Sequence, residues 1–241
     1  MKYASPEEEW KEVLKTNATA QRFASTLSQL ITYRSDCACG AAPQQLFDAC
    51  KMASNTDGLW LEFGTATGST AKIIIEAKPP QKHLYTFDCF TGLPEEWHHH
   101  HIGAFAQQPP ALDTSHATII EGLFEDTLPS FISEHQEKVA FLHVDCDLYS
   151  STKTIFDNLA EWITKDTIIV FDEFYGYPSF SDHEIKAFDE YVKENGVYYD
   201  YVSRAEGCAA ACKILFSETA AKAEELRHTK TKINKADEHV L

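Results

Sequence analysis

From residue 58 onward, short and nearly continuous apolar runs alternate with longer stretches of mixed apolar and polar residues. The runs cover 59–63, 83–87, 117–120, 139–144, 167–171, 198–202 and 209–216. Runs of this length without polar alternation read as strands buried on both faces, and helical stretches between them are what a mainly parallel sheet requires. One helix starts at Ser69 and stops before Pro79-Pro80, because paired prolines cannot continue it. Ile155, Phe156, Leu159, Trp162 and Ile163 form an apolar stripe at helical spacing, which predicts a helix through Ile163 covering one sheet face. Ser181-Asp182-His183-Glu184 has the spacing of a capping box, and Asn195-Gly196 supplies the stop of the helix it opens. Upstream, Trp10, Val13, Leu14, Phe23, Leu27, Leu30 and Ile31 recur near the helical period. The expected organisation is an N-terminal helical cap over 1–57, a doubly wound α/β core over 58–216, and a surface helix or tail over 217–241.

Charge narrows the partners. The 21 Lys and Arg against 37 Asp and Glu give a net charge of −16, a field that repels phosphate backbones and anionic lipid surfaces. Neither nucleic acid nor membrane is therefore expected as a partner. The acidic stretch from Met1 to Trp10 is unlike a signal peptide, and no apolar run reaches spanning length, so a soluble cytoplasmic protein is expected. The 7 cysteines are odd in number and scattered, which fits reduced thiols. Cys37-Ala38-Cys39 lacks a second Cys or His pair at a spacing that would complete a zinc site.

The chemistry starts after the first strand. Gly64-Thr65-Ala66-Thr67-Gly68 follows the run ending in Phe63, so the chain can turn tightly and a ligand can approach the next helix N-terminus. Asp88 closes the second strand 20 residues beyond Gly68, where a carboxylate can accept both hydroxyls of a ribose. Alone, the glycines could merely make a turn and Asp88 could be a solvated loop acid; together they point to a nucleoside-containing cofactor. A nicotinamide dinucleotide would call for a middle glycine facing its pyrophosphate, and Ala66 stands there instead. Glu62, two residues before Gly64, suits a cofactor that carries an ammonium and a sulfonium.

The blocks WLEFGTATGST, LYTFDCFTGLPEEW, GAFA, IIEGLFEDTLPSFI, VAFLHVDCDLYSSTKT and TIIVFDEF, spanning 58–174, resemble the class I S-adenosylmethionine-dependent methyltransferases. Within these they are similar to the macrocin-type O-methyltransferases that act on antibiotic sugars. The resemblance implies a seven-stranded sheet with helices on both faces and the cofactor lying across the strand C-terminal ends. It places Glu62, Gly64 and Gly68 at the methionine part of S-adenosylmethionine, Asp88 at the ribose, and Gly122 to Phe124 at the adenine. Thr65, Ser69, Thr70, Phe90 and Asp145 complete the implied cofactor-binding set. It further implies a divalent cation, magnesium or manganese, on Asp145, Asp172 and Glu173, with Asp145 catalytic; Glu173 replaces the family's second Asp. The expected acceptor is a hydroxyl of a small polyhydroxylated molecule, a sugar or natural product.

Other residues carry weaker expectations. Asp147 is either a second ligand beside Asp145 or, the favoured reading, the N-cap of a helix beginning near Ser150, and His143, inside an apolar strand, reads as a hydrogen-bonded core histidine. His98 to His101 lie in a segment expected to act as a mobile lid over 95–106 and depart from the family pattern. Phe90, Trp97, Phe105, Phe174, Tyr175 and Tyr177 fall in loops after strands, where they either wall an acceptor pocket or join the core. Two other functions stay open on the residues alone: a nicotinamide-dependent oxidoreductase, and a silent methyltransferase-like domain that binds a protein partner. Self-association is open as well.

Overall fold

The computed structural model describes residues 2–35 and 42–237; Cys37 and Cys39 lie outside them. Among the described residues, eight strands form one sheet: β1 (Ile31–Tyr33), β2 (Leu59–Phe63), β3 (Leu84–Asp88), β4 (Ala117–Glu121), β5 (Val139–Val144), β6 (Ile163–Phe171), β7 (Val197–Ala205) and β8 (Ala210–Ser217). Their spatial order is β1-β7-β8-β6-β5-β2-β3-β4. Only β8 runs antiparallel to its neighbours. The doubly wound expectation stands with one strand more than seven. The extra strand, β1, is three residues at the sheet edge, paired in parallel with β7. Ile31 continues the helical spacing of the upstream segment, which is why this short edge pairing does not show in the periodicity.

Helices cover both faces. On one lie α1 (Pro6–Val13), α2 (Ala18–Thr26), α5 (Phe124–Glu134), α6 (Tyr149–Leu159) and α7 (Glu184–Glu194), whose Phe23, Phe131, Phe156 and Phe188 pack with Leu61, Phe63, Leu142 and Phe171 of the sheet. On the other, Leu46, Ala49 and Cys50 of α3 (Pro43–Ala53) and Ala71 and Ile74 of α4 (Ser69–Ala77) meet Trp60, Phe141, Ile168 and Val170. Every side chain of β2 and β5 is buried, as central parallel strands require. The segment before residue 58 thus supplies an edge strand and a core helix as well as covering helices. The chain ends in α8 (Glu218–Asp237), and Arg227 of this helix lies over the Trp162 ring at 4.2 Å.

Three local expectations are corrected. The helix through the stripe stops at Leu159, and Ile163 opens β6 opposite Val139, because β-branched Ile163 gains a sheet partner by leaving the helix. The capping box does not form: Ser181 Oγ donates to Glu9 Oε1 at 2.6 Å, and the cap position falls to His183 without a side-chain bond. Asp147 does not cap α6 either; Leu148 holds that position, and Asp147 sits in the left-handed region at φ 64°.

Candidate active site

Because β2, β3, β4, β5 and β6 run in parallel, their C-terminal ends share one edge of the sheet, and a cavity of about 880 Å³ opens along it. Gly64, Ala66, Thr67, Asp88, Gly122 and Phe124 line one end. Trp97, His98, His99, His100, Glu173 and Tyr177 line the other, with Asp145 and Asp147 also on the wall. A volume near the top of the range for small-molecule sites, roughly 300–1,000 Å³, leaves room for two ligands.

The glycine loop is fixed by contact with the loop after β5. Gly64 has φ 100°, and a Cβ on it would lie 1.7 Å from the Asp145 carbonyl oxygen. Its N–H donates to the Phe87 carbonyl at 2.9 Å, while the Asp145 N–H donates to the Phe63 carbonyl at 2.9 Å. Asp88 is held from both sides: Oδ2 accepts the Ala66 N–H and Oδ1 the Phe90 N–H, each at 2.8 Å. Each oxygen keeps a lone pair for a further donor, so the carboxylate meets the cavity fixed in orientation and still able to accept two hydroxyls.

Of the expected cofactor positions, Gly64, Asp88, Gly122, Phe124 and Asp145 line the cavity, whereas Glu62, Thr65, Gly68, Ser69, Thr70 and Phe90 do not. Glu62 is fully buried within the sheet at the register of Thr86 on β3 and His143 on β5. It accepts the Thr86 hydroxyl at 2.7 Å and lies 3.2 Å from His143 Nδ1. Thr65 is bonded to Thr86 at 2.5 Å, and Ser69 to Thr67 at 2.7 Å. His143 is thus the hydrogen-bonded core histidine expected, although its Nε2 is buried without a partner.

Five carboxylates gather at the ends of β5 and β6. Asp145, Asp147, Asp172 and Glu173 come from the two loops, and Glu184 enters from the start of α7. No sequence pattern marks Glu184 for this role, since its spacing reads as that of a cap residue. It is fully buried, its Oε2 accepts the Glu173 N–H at 3.3 Å, and its Oε1 has no partner. Glu173 Oε2 is buried and unbonded as well. Burial, then the neighbouring Asp172, pushes Asp145, Glu173 and Glu184 well above the usual carboxylate range, and Asp147 up to about 7. The charges that perturb them most are other carboxylates, an arrangement that a cation would relieve.

Of the three acids expected to bind that cation, Asp145 and Asp172 converge. One ligand atom from each lies within 4.8 Å of the other and of a His143 nitrogen. Glu173 is not in that set. Glu173 nevertheless remains close enough to Asp145 and Asp172 to feel both charges. Hard carboxylate oxygens, with the buried and unbonded Glu173 Oε2 nearby, suit a divalent cation.

The expected pocket aromatics divide. Trp97, Phe105 and Tyr177 line the cavity, Phe174 is in the core, and Tyr175 packs against it. Cys89 also lines the cavity, its Sγ 3.3 Å from the Gly92 carbonyl.

The match to known proteins agrees with this geometry. Residues 61–174 match the model of a methyltransferase domain family. Among solved structures, the calicheamicin methyltransferase CalS11 aligns over 88% of this chain and 94% of its own, with a TM-score of 0.59 and 17% identity. The O-methyltransferase NovP aligns over 72% of this chain and 79% of its own, with a TM-score of 0.54 and 17% identity. No curated protein matches the chain by sequence. The domain match covers the glycine loop, Asp88 and the acid loops on this sheet, so residues 61–174 are similar to a methyltransferase domain and the chain has the fold of these methyltransferases.

Proposed function

We propose that the chain transfers a methyl group to a hydroxyl of a small polyhydroxylated acceptor, a sugar or natural product, with help from a divalent cation. One observation carries the reading: a single cavity is lined by the fixed Asp88 carboxylate and by three of the clustered acids, Asp145, Asp147 and Glu173. CalS11 is also described as a TDP-rhamnose 3′-O-methyltransferase, which favours a sugar acceptor. A nicotinamide-dependent oxidoreductase gains nothing from the acid cluster, and a silent binding domain would have no use for it.

S-adenosylmethionine supplies the reactive sulfonium methyl group. Asp88 would accept the ribose hydroxyls, and Gly122 and Phe124 would border the adenine. Asp145, Asp172 and Glu173 would hold a magnesium or manganese ion, with His143 converging on the first two; such an ion supplies Lewis acidity at the acceptor oxygen. Asp145 is on the cavity wall and part of that cluster, so it takes the hydroxyl proton. Holding the acceptor oxygen in line with the methyl group contributes much of the acceleration, on the order of 7–11 kcal/mol in favourable cases.

Calorimetry is expected to show binding of S-adenosylhomocysteine and none of NAD. Chelation is expected to stop methyl transfer, and Mg²⁺ or Mn²⁺ to restore it. NAD binding alone, or full-rate transfer after exhaustive chelation, would refute the reading or its metal-assisted part, respectively.

A further inference from the structure

Beside the acids stands a nitrogen donor that packing alone does not explain. His143 is fully buried on β5, in register with Glu62 on β2 and Val170 on β6. Glu62 takes the Thr86 hydroxyl on Oε2, and its Oε1 lies 3.2 Å from His143 Nδ1. A carboxylate accepts and does not donate, so this bond puts the ring proton on Nδ1 and leaves the imidazole lone pair on Nε2. Nε2 is buried with no hydrogen-bond partner, a costly state unless something else takes that lone pair.

Two residues further along each chain come Asp145 and Asp172. The Asp172 N–H donates to the Val144 carbonyl at 3.0 Å, so the two chains stay paired as far as the acids. One ring nitrogen of His143 and one oxygen from each acid all lie within 4.8 Å of one another. Bonds of about 2.1 Å to an ion put neighbouring donor atoms roughly 3–4 Å apart, so a small inward movement closes this set around one. The set is two hard oxygens and one borderline nitrogen. The carboxylate behind that nitrogen is the outer partner that commonly fixes the tautomer and ring orientation of a metal-bound histidine.

We infer that His143 is a nitrogen ligand of the cation held by Asp145 and Asp172, that Glu62 positions it, and that it makes the site select a first-row transition cation over Mg²⁺. The inference rests on the cation part of the methyl-transfer reading and adds a ligand, its positioning residue and a metal preference. Mg²⁺ favours oxygen and gives up its water reluctantly, whereas imidazole nitrogen suits first-row transition ions. Asp145 lines the cavity, whereas His143 and Asp172 are buried, so the nitrogen anchors the ion from the sheet.

The test loads the untagged full chain with Mn²⁺ and reads electron spin echo envelope modulation, which detects nitrogen bound to the ion. Modulation from an imidazole nitrogen is expected. It persists when His98, His99, His100 and His101 are all replaced by Gln, which removes any contribution from an ion on those side chains. His143→Gln abolishes it; should that variant fail to fold, the unsubstituted chain and Glu62→Gln decide. Glu62→Gln keeps an oxygen for the ring and loses the charge, and calorimetry is expected to show Mn²⁺ bound about tenfold more weakly. The ratio of Mn²⁺ to Mg²⁺ affinity falls in both variants. Mn²⁺ bound without nitrogen modulation, modulation lost with the four lid histidines or kept in His143→Gln, or an affinity ratio unchanged in Glu62→Gln overturns the inference and leaves a cation on carboxylates alone. Failure of the unsubstituted chain to bind either ion overturns the cation part of the methyl-transfer reading and this inference with it.

Discussion

Asp88 and Glu62 are two acids near one glycine loop with opposite fates. Asp88 ends its strand, so its carboxylate emerges at the cavity, where two backbone N–H groups orient it. Glu62 is one residue short of the end of β2, and the pleat places it in register between Thr86 and His143, inside the sheet. The spacing of Asp88 from the glycines was legible in the sequence; that Glu62 is enclosed follows from pairing with strands 24 and 81 residues away. Asp88→Ala is expected to weaken S-adenosylhomocysteine binding by about 1.5–3 kcal/mol, because charge-assisted bonds to the ribose are lost. Titration calorimetry measures this, and an unchanged affinity would place the ribose elsewhere. Tyr177 belongs to the residues the sequence named only as an aromatic in a loop. Its buried, unbonded hydroxyl is a property of the assembled cavity, which no local pattern encodes.

Elements were more legible than their boundaries. The apolar runs located β2 to β8, since a strand buried on both faces leaves a continuous signature. Boundaries failed where a tertiary partner outcompeted a local one, as with Ser181, which bonds to Glu9 from α1 and not to its own helix. The segment 95–106, expected to act as a lid, shows both levels at once. Its base is tied by the Leu93 N–H to the Ala104 carbonyl at 2.9 Å and the Gly103 N–H to the Leu93 carbonyl at 2.9 Å, whereas Ile102 and Phe105 are 68% and 52% exposed. Hydrogen exchange is therefore expected to be fast over 98–102 in the free protein and slower once cofactor and acceptor are bound, with Leu93 and Gly103 protected throughout. Equal exchange in all states would argue against closure.

For the molecule as a whole, the carboxylate cluster links folding to the cation. Asp145, Asp147, Glu173 and Glu184 all hold protons more tightly in the folded chain than in an unfolded one. Such groups favour the folded state fully only below the ordinary carboxylate range, and that contribution is lost as pH rises through the folded values, about 7 for Asp147. Cation-free protein is thus expected to lose a few degrees in Tm between about pH 6 and about pH 8, and added Mg²⁺ to remove most of the loss. Differential scanning calorimetry with chelator and with Mg²⁺ decides it; a slope indifferent to the cation would show that no ion binds there. The sequence indicated three of these acids through resemblance alone, and the other two were read as helix caps because clustering across loops is invisible to spacing.

The contact between Gly64 and the Asp145 carbonyl has a bearing on how such chains diverge. Any side chain at 64 would push the β5 loop away, whether or not that loop still does chemistry, so a descendant that had lost its activity would keep the glycine for packing alone. Retention of Gly64 is therefore poor testimony to catalysis. The crowded acids testify better, because a lineage with no cation to bind would be free to replace them with residues that repel one another less.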